Sequence, residues 1–488
     1  MPVGTGQKIV IVGSGLAGGL LACALARLGF QVELYERRPD PRTAGYSGGR
    51  SINLALSDRG LDALRSIGLD QRVMQQDALP MKGRMMHAYT GDLTYQPYSA
   101  DAAHAINSVS RAGLNLTLIN EAATYSNVRL VFESTCIDAD PLTGTATLRS
   151  PDGTLTTAQG DLLVAADGAF SAVRGIMQRT DRYNYQQSYL DYGYKELHIP
   201  PAAQLPAGAA HPDRFGGFAL DPAALHIWPR RKAMMIALPN RDKSFTCTLF
   251  WPFQGDHSFE ALDNPDKVRA HFQRHYPDAF PLIPNLADDF KTNPTGSLVT
   301  IRCWPWVMGR AVLLGDAAHA IVPFYGQGMN AAFEDCKALA ECLDRARGQI
   351  APALDEFQTL RKPHADAIAD LALANFVEMR DKVGTRLFLY KKKLEHALHR
   401  RFPTRFTPLY DMVSFSLIPY NDARRRAAQQ WQGFSILAFT ILFLILLSLQ
   451  IILTATGIIP SPAAPPLGLL LLCLYAVGVS WLWQRFTP

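Results

Sequence analysis

The chain has 488 residues, too many for one compact core, so two or more lobes are expected. Its 48% hydrophobic and 19% charged residues are ordinary for a globular protein and exclude wholesale disorder. The net charge of +5 is small for this length, and no ladder of basic and aromatic residues marks a nucleic-acid surface.

The first element is a buried strand over Lys8–Val12. Its apolar stretch is too short for a signal peptide and runs directly into glycine. Gly13-Ser14-Gly15-Leu16-Ala17-Gly18 then opens a helix that continues to Leu28, and Gln31–Glu36 reads as the next strand. This strand-turn-helix-strand unit predicts an α/β fold with a doubly wound parallel sheet. Leu162–Ala166 and Ala311–Leu314 read as two further buried parallel strands. Between them, Tyr183–Pro305 is rich in aromatics, prolines and alternating patterns such as Phe245–Phe250, which predicts an inserted antiparallel-sheet domain. The expected organisation is a dinucleotide domain over 1–182 and 306–345, a sheet domain mainly over 183–305, a helical region over 346–430 and a membrane anchor over 431–488.

The anchor is read from composition. Phe434–Leu453 carries no charge, and at about 1.5 Å per residue a helix of that length spans a bilayer core. Gly457, Pro460, Pro462, Pro465 and Pro466 interrupt it, and Leu467–Trp483 forms a second apolar run with Trp481 and Trp483 as interfacial anchors. A transmembrane two-helix hairpin is expected. Arg424-Arg425-Arg426 before it and Arg485 after it favour both ends on the cytoplasmic side. The seven cysteines (Cys23, Cys136, Cys247, Cys303, Cys336, Cys342, Cys473) are scattered and form no Cys-x-x-Cys pair. They read as reduced thiols, and no metal site is expected.

The chemistry begins at the glycine loop. Gly13 permits the tight turn, Gly15 lets backbone approach a pyrophosphate, and Gly18 lets the helix pack on the strand. The helix N-terminus offers N–H groups and a favourable dipole to phosphates, and Glu36 is placed to accept from ribose hydroxyls. These features indicate a dinucleotide without separating FAD from NAD. Two later segments favour FAD. Leu163–Arg174 and Gly309–His319 each deliver an aspartate, Asp167 and Asp316, at the C-terminal end of a strand, where a ribitol hydroxyl can be bound. Pro323–Asn330 then forms a loop opening onto a helix, whose amides can stabilise negative charge on a reduced flavin.

In this order, the glycine loop, the Asp167-Gly168 segment and the Gly315-Asp316 segment resemble the single-component FAD-dependent aromatic hydroxylases over roughly the first 410 residues. Within that family, four stretches resemble the kynurenine-hydroxylating branch: Gly49–Ser57, Pro80–His87, Ala237–Phe250 and Asn375–Arg380. The resemblance implies bound FAD, transient reduction by NADPH, and O₂-dependent hydroxylation of L-kynurenine through a flavin hydroperoxide. It implies that Arg84 and Tyr98 bind the substrate carboxylate, with Asn375 and Tyr410 completing the pocket. A planar guanidinium suits that task, because it meets a carboxylate with two parallel charge-assisted bonds. FAD contacts implied in the same way are Ala17, Tyr35, Glu36, Arg37, Arg38, Ala55, Arg111, Cys136, Asp316, Met329 and Asn330. No side chain is assigned as a catalytic acid, base or nucleophile, and His319 reads as structural. Eukaryotic members of that branch also carry a C-terminal anchor, although here there are two apolar runs. The implied location is the mitochondrial outer membrane in a eukaryote or the inner membrane in a bacterium. Two rival readings remain open at this level: a membrane-bound flavin enzyme acting on a different aromatic or isoprenoid substrate, and a tethered redox sensor.

Overall fold

A computed structural model describes residues 3–4, 6–44, 53–211, 213–381, 386–456, 458 and 464–486. Of the stretches that carry the resemblance, 49–52 lie outside the described residues. The chain divides into two compact units, Met1–Lys392 with Ser414–Leu417, and Lys393–Val413 with Ile418–Pro488.

The first unit is built on a six-stranded sheet. Its order is Val307–Met308, Ala311–Leu313, Leu162–Ala165, Lys8–Val12, Gln31–Tyr35 and Val128–Val131. All neighbours are parallel except the first pair. Ile9, Val10, Ile11, Leu162, Leu163 and Val164 have no exposed surface, as expected for strands covered on both faces. The chain leaves Lys8–Val12 toward one edge and returns on its other side as Leu162–Ala165. The strand order therefore reverses there, and the crevice beyond those two strand ends is the natural ligand site of such a sheet.

The second large sheet has seven strands, five of them from the 183–305 segment. Gly83–His87 and Leu93–Pro97 complete one edge. The predicted all-antiparallel pattern is broken at one place: Ala224–Ile227 runs parallel to Gly83–Met86. The reason is connectivity. These partners come from distant parts of the chain and are not joined by a hairpin, so nothing forces opposite directions. The two faces of this sheet bury different clusters. One holds Met86, Tyr192, Ile227, Met234 and Phe250 against Phe324 and Phe376. The other holds Trp228, Ala237, Leu249 and Trp251 against Phe272 and Tyr276.

A small three-stranded sheet, Asn53–Leu56, Ile106–Ser110 and Ala78–Met81, joins the two large ones. The Asn53 amide donates to the Asn240 side chain at 2.7 Å and to the Pro239 carbonyl at 3.0 Å. That pins a turn of the seven-stranded sheet to a strand beside the crevice. In the second unit, Tyr420–Ala455 is one helix, long and apolar enough to cross a membrane. Its residues Leu437, Ile441, Leu444, Ile445 and Ile452 are exposed. A further helix, Ala464–Phe486, packs against it, with Tyr475 hydrogen-bonded to Thr440 at 2.9 Å and stacked on Phe439. Prolines 465 and 466 fall in the first turn of that helix, where a missing N–H costs nothing.

Candidate active site

At the crevice, the glycine loop is held by its neighbours rather than by its own side chains. Gly13 has φ +101°, and a Cβ there would lie 2.5 Å from the Ala166 carbonyl oxygen. A Cβ on Gly18 would lie 1.9 Å from the Gly13 carbonyl oxygen, so only glycine lets helix Leu16–Arg27 seat on its strand. A Cβ on Gly15 would meet open space, and no side chain caps this helix, so its first amides face the crevice. Glu36 accepts from the Ser14 amide at 2.9 Å and from the Arg38 amide at 3.0 Å. It closes the loop and retains lone pairs for a ribose hydroxyl.

The two aspartate segments converge on the same crevice, tied together by Arg174. This buried side chain donates to the Ala317 carbonyl at 2.8 Å and to the Ala169 carbonyl at 2.5 Å. Asp167 accepts from the Ala172 amide at 2.7 Å through one oxygen, and its other oxygen is buried without a hydrogen-bond partner. Burial pushes its carboxyl up, while the Ser171 hydroxyl and the Ala172 amide pull the other way. Cys136 lies within its field: burial, then Asp167, pushes the thiol up to about 12, so it offers no thiolate. Asp316 keeps an exposed surface yet is surrounded by protein, as a carboxyl at the floor of a cleft would be. Enclosure raises its pKa, and Arg111 and His319 oppose that rise. Ala17 packs there too, its Cβ 3.6 Å from where a Gly315 Cβ would stand.

The third wall is the loop Pro323–Asn330. Helix Gly328–Arg345 has no side-chain cap, leaving the amides of Gly328, Met329 and Asn330 at its open end. The Asn330 side chain is fully buried and donates to the carbonyls of Ala55 at 2.8 Å and Gly326 at 2.9 Å. Its carbonyl accepts from the Ser57 amide at 3.0 Å. This locks the helix start against strand Asn53–Leu56. A buried carboxylate, an uncapped pair of helix starts and a glycine cradle together fit a dinucleotide with a long polyol chain, which is FAD.

The Tyr35 hydroxyl donates to Glu33 at 3.0 Å, so that side chain is committed along the strand. Arg37 and Arg38 are exposed. Arg111 is exposed at the first turn of helix Arg111–Ala122.

Beside the Pro323–Tyr325 turn lies an aromatic cluster. Phe324 stands 4.5 Å from Phe376 and 5.0 Å from Phe250, ring centre to ring centre, and Tyr192 stands 5.0 Å from Phe376. Arg84 and Met86 share one face of their strand, and Met86 belongs to this cluster. Arg84 is therefore a half-buried guanidinium on the face that carries this cluster, with Gln96 opposite it on the next strand and its carbon positioned over the Tyr98 ring at 5.2 Å. The Asn375 amide donates to the Phe324 carbonyl at 2.6 Å, which ties it to the same cluster. Tyr410 belongs to the second compact unit.

Comparison with known proteins names the family. A family model described as "FAD binding domain" matches residues 7–372. The kynurenine 3-monooxygenase of Myxococcus xanthus (strain DK1622) is 46% identical over 424 residues, covering 86% of this chain and 89% of the relative. The kynurenine 3-monooxygenase of Sus scrofa is 42% identical, covering 87% of both. The chain belongs to the kynurenine 3-monooxygenase family. Among solved structures, 2-methyl-3-hydroxypyridine-5-carboxylic acid oxygenase superposes with a TM-score of 0.61 at 22% identity, covering 78% of this chain and 94% of that one. That likeness shows a shared fold. For a kynurenine 3-monooxygenase family member, the half-buried Arg84 on an aromatic-lined face beside the flavin loops is the feature of greatest chemical interest.

Sequence reasoning missed what holds the Asp316 segment. Asp335 is fully buried and accepts from Arg361 at 2.7 Å, from His319 at 2.5 Å and from the Gly315 amide at 3.2 Å. Glu334 beside it accepts from Arg59 at 2.7 Å and Arg361 at 3.3 Å. The signal was a pair of adjacent acids on a helix that is otherwise alanine-rich and buried. His319 is thus a hydrogen-bond partner of Asp335, in keeping with a structural role.

Proposed function

We propose that this protein hydroxylates L-kynurenine to 3-hydroxykynurenine, converting NADPH, a proton and O₂ to NADP⁺ and water. The observation that carries the substrate class is Arg84: a half-buried guanidinium over the Tyr98 ring, on the strand face that also bears the aromatic cluster, suits an amphiphilic ligand with an aromatic ring and a carboxylate. The family supplies the rest. FAD, reduced by NADPH, provides the activation of O₂ and the transfer of one oxygen atom.

The chain's own residues bind, orient and exclude water. Gly13, Gly15, Ala17 and Gly18 cradle the pyrophosphate, with Arg111 neutralising its charge. Glu36 takes the ribose, flanked by Tyr35, Arg37 and Arg38, and Asp316 takes a ribitol hydroxyl. Cys136 and Ala55 contribute through their backbones. The amides of Met329 and Asn330 stabilise negative charge on the flavin ring. Arg84 grips the carboxylate with Tyr98, and Asn375 closes the pocket. The apolar wall of Phe250, Phe324 and Phe376 keeps water from the reacting centre. The aniline nitrogen of kynurenine activates the ring carbon beside it, so no general base is assigned. NADPH oxidation by the purified protein should rise sharply when kynurenine is added; an unchanged rate would remove kynurenine as the substrate.

We further propose that Tyr420–Ala455 and Ala464–Phe486 form a two-helix membrane anchor, with Arg424, Arg425 and Arg426 holding its start at the cytoplasmic face. Truncation before Phe434 should release an active, FAD-loaded protein into the soluble fraction. Recovery of that truncated protein only in membranes would reject the anchor.

A further inference from the structure

On the face of the seven-stranded sheet turned away from the aromatic cluster lies a feature the hydroxylation does not use. Phe250 and Trp251 are consecutive on one strand and so point to opposite faces. Phe250 meets Phe324, whereas Trp251 meets His271 at 5.0 Å between ring centres. His271 and His275 stand four residues apart on helix Pro265–His275, on one side of it. His257 reaches them from the loop that follows strand Phe245–Pro252, with its ring 5.6 Å from His271 and 4.9 Å from His275. One ring nitrogen from each lies within 4.8 Å of the others.

We propose that His257, His271 and His275 bind one divalent transition-metal ion of the zinc type, with a fourth position left to water. Imidazole is the ligand that Zn²⁺, Cu²⁺ and Ni²⁺ favour, and a tetrahedral site with Zn–N of about 2.0–2.1 Å places its nitrogens roughly 3.3 Å apart. Small side-chain rotations bring nitrogens now within 4.8 Å to that spacing. Two further facts support the site. No ring nitrogen of the three has a hydrogen-bond partner among the described residues, so none is committed elsewhere. The loop is also fixed: the fully buried Ser258 donates to the Gly255 carbonyl at 2.6 Å, and Phe259 packs on Trp251 and Phe290. A bound ion would staple this loop to the helix that covers the sheet.

The test is a Zn²⁺ titration of the full-length, FAD-loaded protein after dialysis against a chelator, with bound metal counted by mass spectrometry. One equivalent should bind. In His257→Ala and His271→Ala the affinity should fall by on the order of 100-fold, at least the loss seen when a metal site's supporting partners are removed. Flavin absorbance and kynurenine turnover should be unchanged in His257→Ala, whose ring is exposed on the loop, so misfolding cannot mimic the result. Failure of the wild-type protein to take up one equivalent, or uptake unaltered in His257→Ala, would overturn the proposal.

Discussion

Arg84→Ala is expected to lower kcat/KM for kynurenine by about 10²–10⁴ while leaving FAD fully bound. The figure follows from two charge-assisted hydrogen bonds to the substrate carboxylate, each contributing about 1.5–3 kcal/mol, at about 1.4 kcal/mol per factor of ten. Arg84→Lys should recover only part of the loss, because an ammonium cannot reproduce the planar two-point contact. An analogue of kynurenine lacking the amino-acid group should be turned over poorly by both the wild type and the alanine variant, since the partner of the missing contact is absent in each case. Steady-state kinetics with flavin absorbance measured on the same samples separates the possibilities. If Arg84→Ala lost its flavin, the guanidinium would belong to the cofactor site and the substrate pocket would lie elsewhere.

Asp335→Ala should be the most damaging change outside the pocket. The carboxylate is fully buried between Arg361 and His319 and also holds the Gly315 amide beside Asp316. Removing one partner of a buried ion network costs about 3–5 kcal/mol, because the remaining charge is left without compensation. That is a large share of a typical stability of about 5–15 kcal/mol. Denaturant unfolding should show the loss, and the variant should also release FAD readily, since Asp316 would no longer be held in place. The effect depends on pH in a defined direction. Burial alone would raise the Asp335 carboxyl, but His319 and Arg361 outweigh it and hold it below 3.8. A depressed native pKa contributes stability that is complete above the unfolded value and is lost as pH falls through the lower native one. The gap between wild type and Asp335→Ala should therefore be wide near neutrality and narrow in strong acid. A gap that widened on acidification would contradict this assignment.

The parts of the fold that were legible in the sequence are those governed by local rules. The strand Lys8–Val12, the glycine loop and the helix after it follow from an apolar run, a turn that only glycine can make and an uncapped helix start. The aspartates at the ends of Leu162–Ala165 and Ala311–Leu313 were visible for the same reason, because each is written into one short segment. Contacts between distant segments were not. The parallel pairing of Gly83–Met86 with Ala224–Ile227 leaves no local trace, since neither strand's alternation encodes the direction of its neighbour. Arg174 reads as an ordinary helix residue until its two carbonyl partners are seen. His257 joins His271 and His275 only through a loop, so the spacing along the chain gave no sign of a cluster.

In the proposed function, the flavin site and the Arg84 pocket act together to place one atom of O₂ on kynurenine. The direct measurement is turnover of the purified protein with NADPH, L-kynurenine and isotopically labelled O₂, with the product identified by mass. The expected product is 3-hydroxykynurenine carrying one labelled oxygen, formed in step with NADPH consumption. Hydrogen peroxide in place of that product, or a hydroxyl group derived from water, would contradict it.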